Sequence, residues 1–119
     1  MEEGRPIFLQ IAEEIENSII EGTLPEETQA PSTNELAAFH RINPATAAKG
    51  INQLVDDGVL YKRRGIGMFV TAGAQAKLRH RRREQFSDQY LHPLLLEARK
   101  LGLTADEIKN MIDAWEKTR

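Results

Sequence analysis

This sequence predicts a mostly α-helical chain with one small β-hairpin, on three observations. Apolar residues recur at helical spacing in several separate stretches of the 119 residues, the mark of helices that each bury one face. Ser32 to Glu35 and Thr104 to Glu107 are both capping boxes, in which a hydroxyl takes a backbone N–H and the carboxylate returns the bond. Arg64-Gly65-Ile66-Gly67 is flanked by Val59 to Lys62 and Met68 to Thr71, strand formers on either side of a loop whose glycines accept positive φ.

Taken in order, the first helix runs from Phe8 to about Glu21, with Phe8, Ile11, Ala12, Ile15 and Ile19 on one stripe and glutamates facing water opposite. The Ser32 cap starts a short helix at about Thr33, whose apolar face is Leu36, Ala37 and Phe39. His40, Arg41 and Ile42 leave room only for a turn. Asn43 is a favoured N-cap, and Pro44 fits the first helical position because its missing N–H would be unpaired there anyway. Over Asn43 to Asp57, Ala47, Ile51, Leu54 and Val55 share one side, while Ala45, Thr46, Lys49 and Gln53 share the other. Gly58 ends this helix and the hairpin follows, with Lys62, Arg63 and Arg64 on its rising side. Helix, turn, helix and basic hairpin in this order outline an N-terminal winged helix-turn-helix, residues 1–73.

Past Gly73 the strand signals cease. A long helix is expected from about Gln75 to Lys100, striped by Phe86, Tyr90, Leu94, Ala98 and Leu101 and widened by Leu91 and Leu95, with a kink or break near Tyr90 to Pro93. Gly102 stops it. The Thr104 cap, with Leu103 stapled onto Ile108, starts a last helix carrying Ile108, Met111, Ile112 and Trp115. Two helices cannot bury that much apolar surface between themselves. Residues 74–119 therefore read as a short helical dimerisation region whose interface is built from Phe86, Tyr90, Leu91, Leu94, Leu95, Ala98, Leu101, Ile108, Met111, Ile112 and Trp115.

The outward face of the second short helix suits a DNA groove. Its residues are small at the N-terminal end, which allows close backbone approach, and Lys49 offers one cation for guanine or phosphate. A basic hairpin beside it is a wing for phosphates or a minor groove. The candidate DNA contacts are Ser32, Thr33, Asn34, Asn43, Ala45, Thr46, Lys49, Arg63, Arg64, Gly65 and Gly67.

Pro6 to Ile11, Gly22-Thr23-Leu24, Pro31-Ser32, Glu35-Leu36-Ala37, Asn43 to Thr46 and Gly65 to Val70 together resemble the GntR family of bacterial transcriptional regulators. The Asn43-Pro44 pair and the short helical tail look most like its YtrA subfamily. The resemblance implies a DNA-binding regulator, most simply a repressor, with contacts at Asn34, Asn43, Thr46, Lys49 and the wing around Arg64, Gly65 and Gly67. Many members carry arginine where this chain has Asn34 and Pro44, so base preference does not transfer from other branches.

The chain holds no cysteine, which excludes disulfides and thiolate metal sites, and nothing in it reads as a signal peptide or membrane span, so a cytoplasmic protein is expected. No cofactor is implied. His40, His80 and His92 lie far apart, in no ligand spacing and with no acidic partner fixed nearby, so a metal site is not expected. Ser32 is committed as a cap, and Gly65-Ile66-Gly67 is too short for a phosphate loop, so enzyme activity is the weakest class. The expected partners are double-stranded operator DNA and a second copy of the chain; an effector would have to sit between the small domains or at the dimer interface.

Charge runs against the DNA reading. Residues 1–74 carry six Lys/Arg against eleven Asp/Glu, and residues 75–119 ten against seven. A winged-helix module that binds protein instead of DNA is the alternative this favours. The expectation that keeps DNA in first place is that Glu13, Glu14, Glu16, Glu21, Glu26 and Glu27 cluster away from the reading helix and the wing. The run Arg79, His80, Arg81, Arg82, Arg83 reads first as a solvated helix face and second as a set of flanking phosphate contacts.

Overall fold

Capping chemistry sets the helix boundaries in the computed structural model, which describes residues 4–118. The elements are α1 (Ile7–Glu21), α2 (Thr33–His40), α3 (Pro44–Asp56), β1 (Leu60–Arg63), β2 (Gly67–Val70), α4 (Ala74–Phe86), a π-turn (Ser87–Leu91), α5 (His92–Lys100) and α6 (Ala105–Lys117). Both capping boxes form as the residue pattern requires. The Ser32 and Thr104 hydroxyls accept the Glu35 and Glu107 N–H groups, each at 3.1 Å, and the two carboxylates accept the cap residues' own N–H groups in return.

Two compact units divide the chain at His80 and Arg81, inside α4. In the first, the core is made by Ile11, Ile15 and Ile19 of α1, Leu36 and Ala37 of α2, Ala47, Ile51 and Leu54 of α3, Leu60 and Val70 of the hairpin, and Ala74 and Leu78 of α4. Each large side chain so buried contributes about 1.5–3 kcal/mol. Helices α1 and α3 cross so closely that a Cβ on Gly50 would lie 2.8 Å from the Phe8 carbonyl oxygen. Glycine is what permits that approach.

The hairpin pairs Leu60 with Val70, Tyr61 with Phe69, Lys62 with Met68 and Arg63 with Gly67. Gly67 is thus the first residue of β2 and not part of the loop; its φ of 142° still demands glycine. A third edge, which nothing in residues 22–31 announces, lies along β2. The Glu27 N–H donates to the Val70 carbonyl at 2.8 Å, Val70 to Thr28 at 3.0 Å, and Ala30 to Met68 at 2.8 Å.

Phe39 departs from expectation, being 76% exposed. At about 100° per residue it lies roughly 160° around the helix from Ala37, off the face that Leu36 and Ala37 define. Its ring instead meets His40 edge-on at 4.9 Å. Arg41 turns the chain in the left-handed region, φ 55°, and delivers Ile42 to the core edge in its place.

The second unit begins at Arg81. Here Pro93 neither ends nor breaks the helix. Backbone angles stay right-handed through Leu91 and His92, and the His92 N–H reaches back to the Ser87 carbonyl. The wider π-turn just ahead of Pro93 absorbs the missing donor and the ring, the two features that would otherwise break an α-helix. Gly102, φ 71°, then reverses the chain, and the Leu103 N–H closes α5 on the Ala98 carbonyl at 2.9 Å. Helices α5 and α6 enclose an apolar groove of about 550 Å³ lined by Leu94, Leu101, Ile108, Met111, Ile112 and Trp115, among others.

Candidate nucleic-acid interface

The N-terminal end of α3 is built to be presented. Asn43 Oδ1 accepts the Ala45 N–H at 2.8 Å, which satisfies one orphan donor at an exposed residue. Asn43, Pro44 and Ala45 are exposed and Thr46 half-buried, while Ala47, Gly50, Ile51 and Leu54 turn into the core. Helix α2 supplies Asn34, exposed, beside Ser32 and a half-buried Thr33. The Ser32 hydroxyl accepts the Glu35 N–H, and donation from the Ser32 amide, then its hydroxyl, holds the Glu35 carboxyl below its ordinary range.

Lys49 is exposed, yet its ammonium lies 4.2 Å from the centre of the Phe8 ring. That cation–π contact holds the side chain toward the start of α1, a position suited to a phosphate beside the groove as well as to a base edge.

In the wing, Arg64 and Gly65 sit exposed at the tip, closed by the Ile66 N–H donating to the Arg63 carbonyl at 3.0 Å. Arg63 is held differently. Its guanidinium packs 4.1 Å over the Phe69 ring and donates to the Tyr61 hydroxyl at 3.1 Å, with the Glu27 carboxylate 3.6 Å away. The expectation that Glu27 stands clear of the wing is therefore corrected. Residues 27–30 pair with β2, so backbone bonding brings Glu27 onto the hairpin, a tertiary contact no local pattern marks.

Other acids of this unit are also engaged. Arg5 pairs with Glu13 at 2.6 Å, and Glu26 accepts the Gly73 and Gln75 N–H groups at 2.9 and 3.3 Å, capping α4. His40 does have an acidic partner, contrary to expectation: its Nε2 lies 3.1 Å from Glu14 on α1, a residue distant in sequence. In the arginine run, Arg79 donates to the Ile20 carbonyl at 3.0 Å and so closes the C-terminal end of α1. Lys77 does the same for α3 at the Asp57 carbonyl, 2.5 Å.

Among the described residues no group of three or more His, Cys, Asp or Glu could hold a metal ion. No helix among them is long and apolar enough to cross a membrane.

The dimer candidates fall into two sets. Phe86, Tyr90, Leu91, Leu94, Leu95, Leu101, Met111, Ile112 and Trp115 are exposed, whereas Ala98 is buried in its own unit and Ile108 half-buried.

A helix-turn-helix with a basic wing and a separate helical tail defines a winged-helix regulatory protein. Residues 8–70 match the model of the bacterial regulatory proteins of the gntR family, and the chain belongs to that family. It is similar to a GntR-family transcriptional regulator of solved structure from Bacteroides thetaiotaomicron, 32% identical over 94% of this chain and 97% of that one, with a TM-score of 0.73. It also resembles the transcriptional repressor YtrA of Bacillus subtilis, 25% identical over 90% of this chain and 82% of the relative. The AraR DNA-binding domain, solved in complex with an operator, is 34% identical over 56% of this chain and 81% of that one, with a TM-score of 0.54.

Proposed function

We propose that this chain is a sequence-specific transcriptional repressor of the YtrA type, cytoplasmic and without enzymatic activity, that binds a palindromic operator as a homodimer. The observation that carries the reading is the exposed, side-chain-capped start of α3, where Asn43, Ala45, Thr46 and Lys49 face outward over a buried opposite face. Small residues let the helix enter a major groove, and Asn34 and the Arg64 tip flank it. The acidic balance of this unit is compatible with DNA because Glu13, Glu14, Glu26, Glu27 and Glu35 are spent on ion pairs and caps.

The homodimer is supported by the exposed apolar stripe of the second unit. An exposed face of that kind on so small a unit is a contact surface, and a second copy would cover it symmetrically. A two-fold protein then meets half-sites separated by about one helical turn or a multiple of it.

The test is selection of duplexes from a random-sequence pool by the full chain, followed by footprinting upstream of its own gene. A recurrent inverted repeat is expected, and Lys49→Ala should weaken its binding by about 1–3 kcal/mol if Lys49 reads a base. Absence of any enriched duplex at moderate salt would defeat the reading and leave a winged-helix module that binds protein.

A further inference from the structure

Adjacent cations in the wing stand on opposite faces of the hairpin. Arg63 belongs to the outer face with Tyr61 and Phe69. Its guanidinium lies over the Phe69 ring, 5.7 Å from that of Tyr61, and its bond to the Tyr61 hydroxyl is continued by that hydroxyl donating to Glu27 at 2.8 Å. A guanidinium stacked on aromatic rings and shared with a carboxylate has committed its plane and part of its donor fork. Two residues on from Glu27, the Gln29 amide donates to the Ile66 carbonyl at the wing tip, 3.0 Å. The segment from Glu27 to Ala30 thus fastens the hairpin along its length.

Lys62 lies on the other face. It pairs with Met68, next to the Leu60 and Val70 pair that is buried in the core, and β1 packs against α3. Alternation along the strand therefore turns Lys62 to the side of the reading helix. It is exposed, and among the described residues its ammonium makes no ion pair or hydrogen bond.

We infer that the wing divides the work between these neighbours: Lys62 meets the DNA backbone, while Arg63 is a positioning residue that, through Tyr61 and Glu27, fixes the aim of the hairpin before DNA arrives. This rests on the DNA-binding reading above. It assigns a backbone contact that the basic run alone cannot locate, and it removes Arg63 from the set of direct contacts.

Operator affinity of the full chain, measured against salt on a duplex enriched by the wild type, tests the division. Lys62→Gln should flatten the log–log slope by about 0.9 per protomer, the loss of one phosphate contact. Arg63→Gln and Glu27→Gln should each lower affinity by the same factor at every salt concentration and leave the slope unchanged. A slope flattened as much by Arg63→Gln as by Lys62→Gln would overturn the assignment. So would a slope steepened by Glu27→Gln, because the carboxylate would then be masking a DNA cation.

Amide exchange without DNA gives an independent reading. Arg63→Gln should speed exchange at Glu27 and Val70, whose N–H groups bridge the third edge of the sheet, while Ile51 and Leu54 stay protected. Unchanged exchange at Glu27 and Val70 overturns the positioning role. A wild type that enriches no duplex defeats the DNA reading itself, and the exchange measurement still decides whether Arg63 fastens the wing.

Discussion

The two compact units handle apolar surface in opposite ways. Up to His80, four helices and a hairpin surround one core, with Ile11, Ile51, Leu54, Val59, Val70 and Leu78 sealed from water. From Arg81 on, Ala98 is the one buried residue among those described, and Trp115 remains 65% exposed. Two short helices and a π-turn can form their backbone bonds locally but offer no third layer to cover the stripe. The first unit is complete as a folding core. The second is complete in backbone and leaves its apolar stripe exposed.

The sharpest way to break the contrast is to charge that stripe. Leu94→Glu with Leu95→Glu should turn the proposed dimer into a monomer by sedimentation and lower operator affinity by about 10²–10⁴-fold, through loss of the linked second half-site. A monomer that binds the operator as tightly as the wild type would contradict the two-fold arrangement. Next comes Leu78→Ala. Because Leu78 is 1% exposed in the first core, this change should cost about 2–5 kcal/mol in denaturant unfolding, although Leu78 lies on the helix that leads to the second unit. A cost near zero would mean that α4 does not close that core.

Smaller effects probe the caps. Ser32→Ala should cost about 1 kcal/mol and move the Glu35 titration, followed by NMR, back up toward the ordinary carboxylate range. The folded Glu35 carboxyl lies below that range, so its contribution is present above the unfolded value and fades as pH falls through the lowered one. The rise should be partial, because the Ser32 amide, the larger cause, stays in the variant; an unmoved titration would show that the Ser32 hydroxyl contributes nothing to the shift. Smallest is Arg41→Gly, which replaces a side chain at φ 55°. Relief of the left-handed strain, set against the greater freedom of glycine in the unfolded chain, should raise stability by about 0.5 kcal/mol. Destabilisation would indicate that the Arg41 side chain makes contacts worth more than the strain.

Much of the fold could be read locally. The boxes at Ser32 and Thr104, the Asn43-Pro44 start and the Gly102 stop are each fixed by residues within one helical turn, and they form as written. The side of α3 with Ala45, Thr46, Lys49 and Gln53 follows from helical periodicity alone; Ala45 and Lys49 are exposed and Thr46 and Gln53 half-buried. Phe39 lies outside what periodicity can place, because an eight-residue helix has too few turns to locate its buried face. The edge at residues 27–30 could not be read, since its bonds are backbone bonds to β2 and carry no side-chain signature. Pro93 points to a kink or a break near Tyr90 to Pro93, whereas the structure has a π-turn there with right-handed backbone throughout; whether a helix breaks or widens depends on how the preceding carbonyls are rearranged.

Short-range chemistry, then, sufficed for the helices, the hairpin, the buried face of α3 and the family. What a charged residue does was decided only by folding. Glu27 and Arg63 are distant in sequence and could each have faced water; they meet because a strand edge carries one onto the other. Caps and periodicities act between neighbours along the chain, and so can be read from it. Ion pairs, ring contacts and sheet edges act between neighbours in space, which exist only once the core has closed.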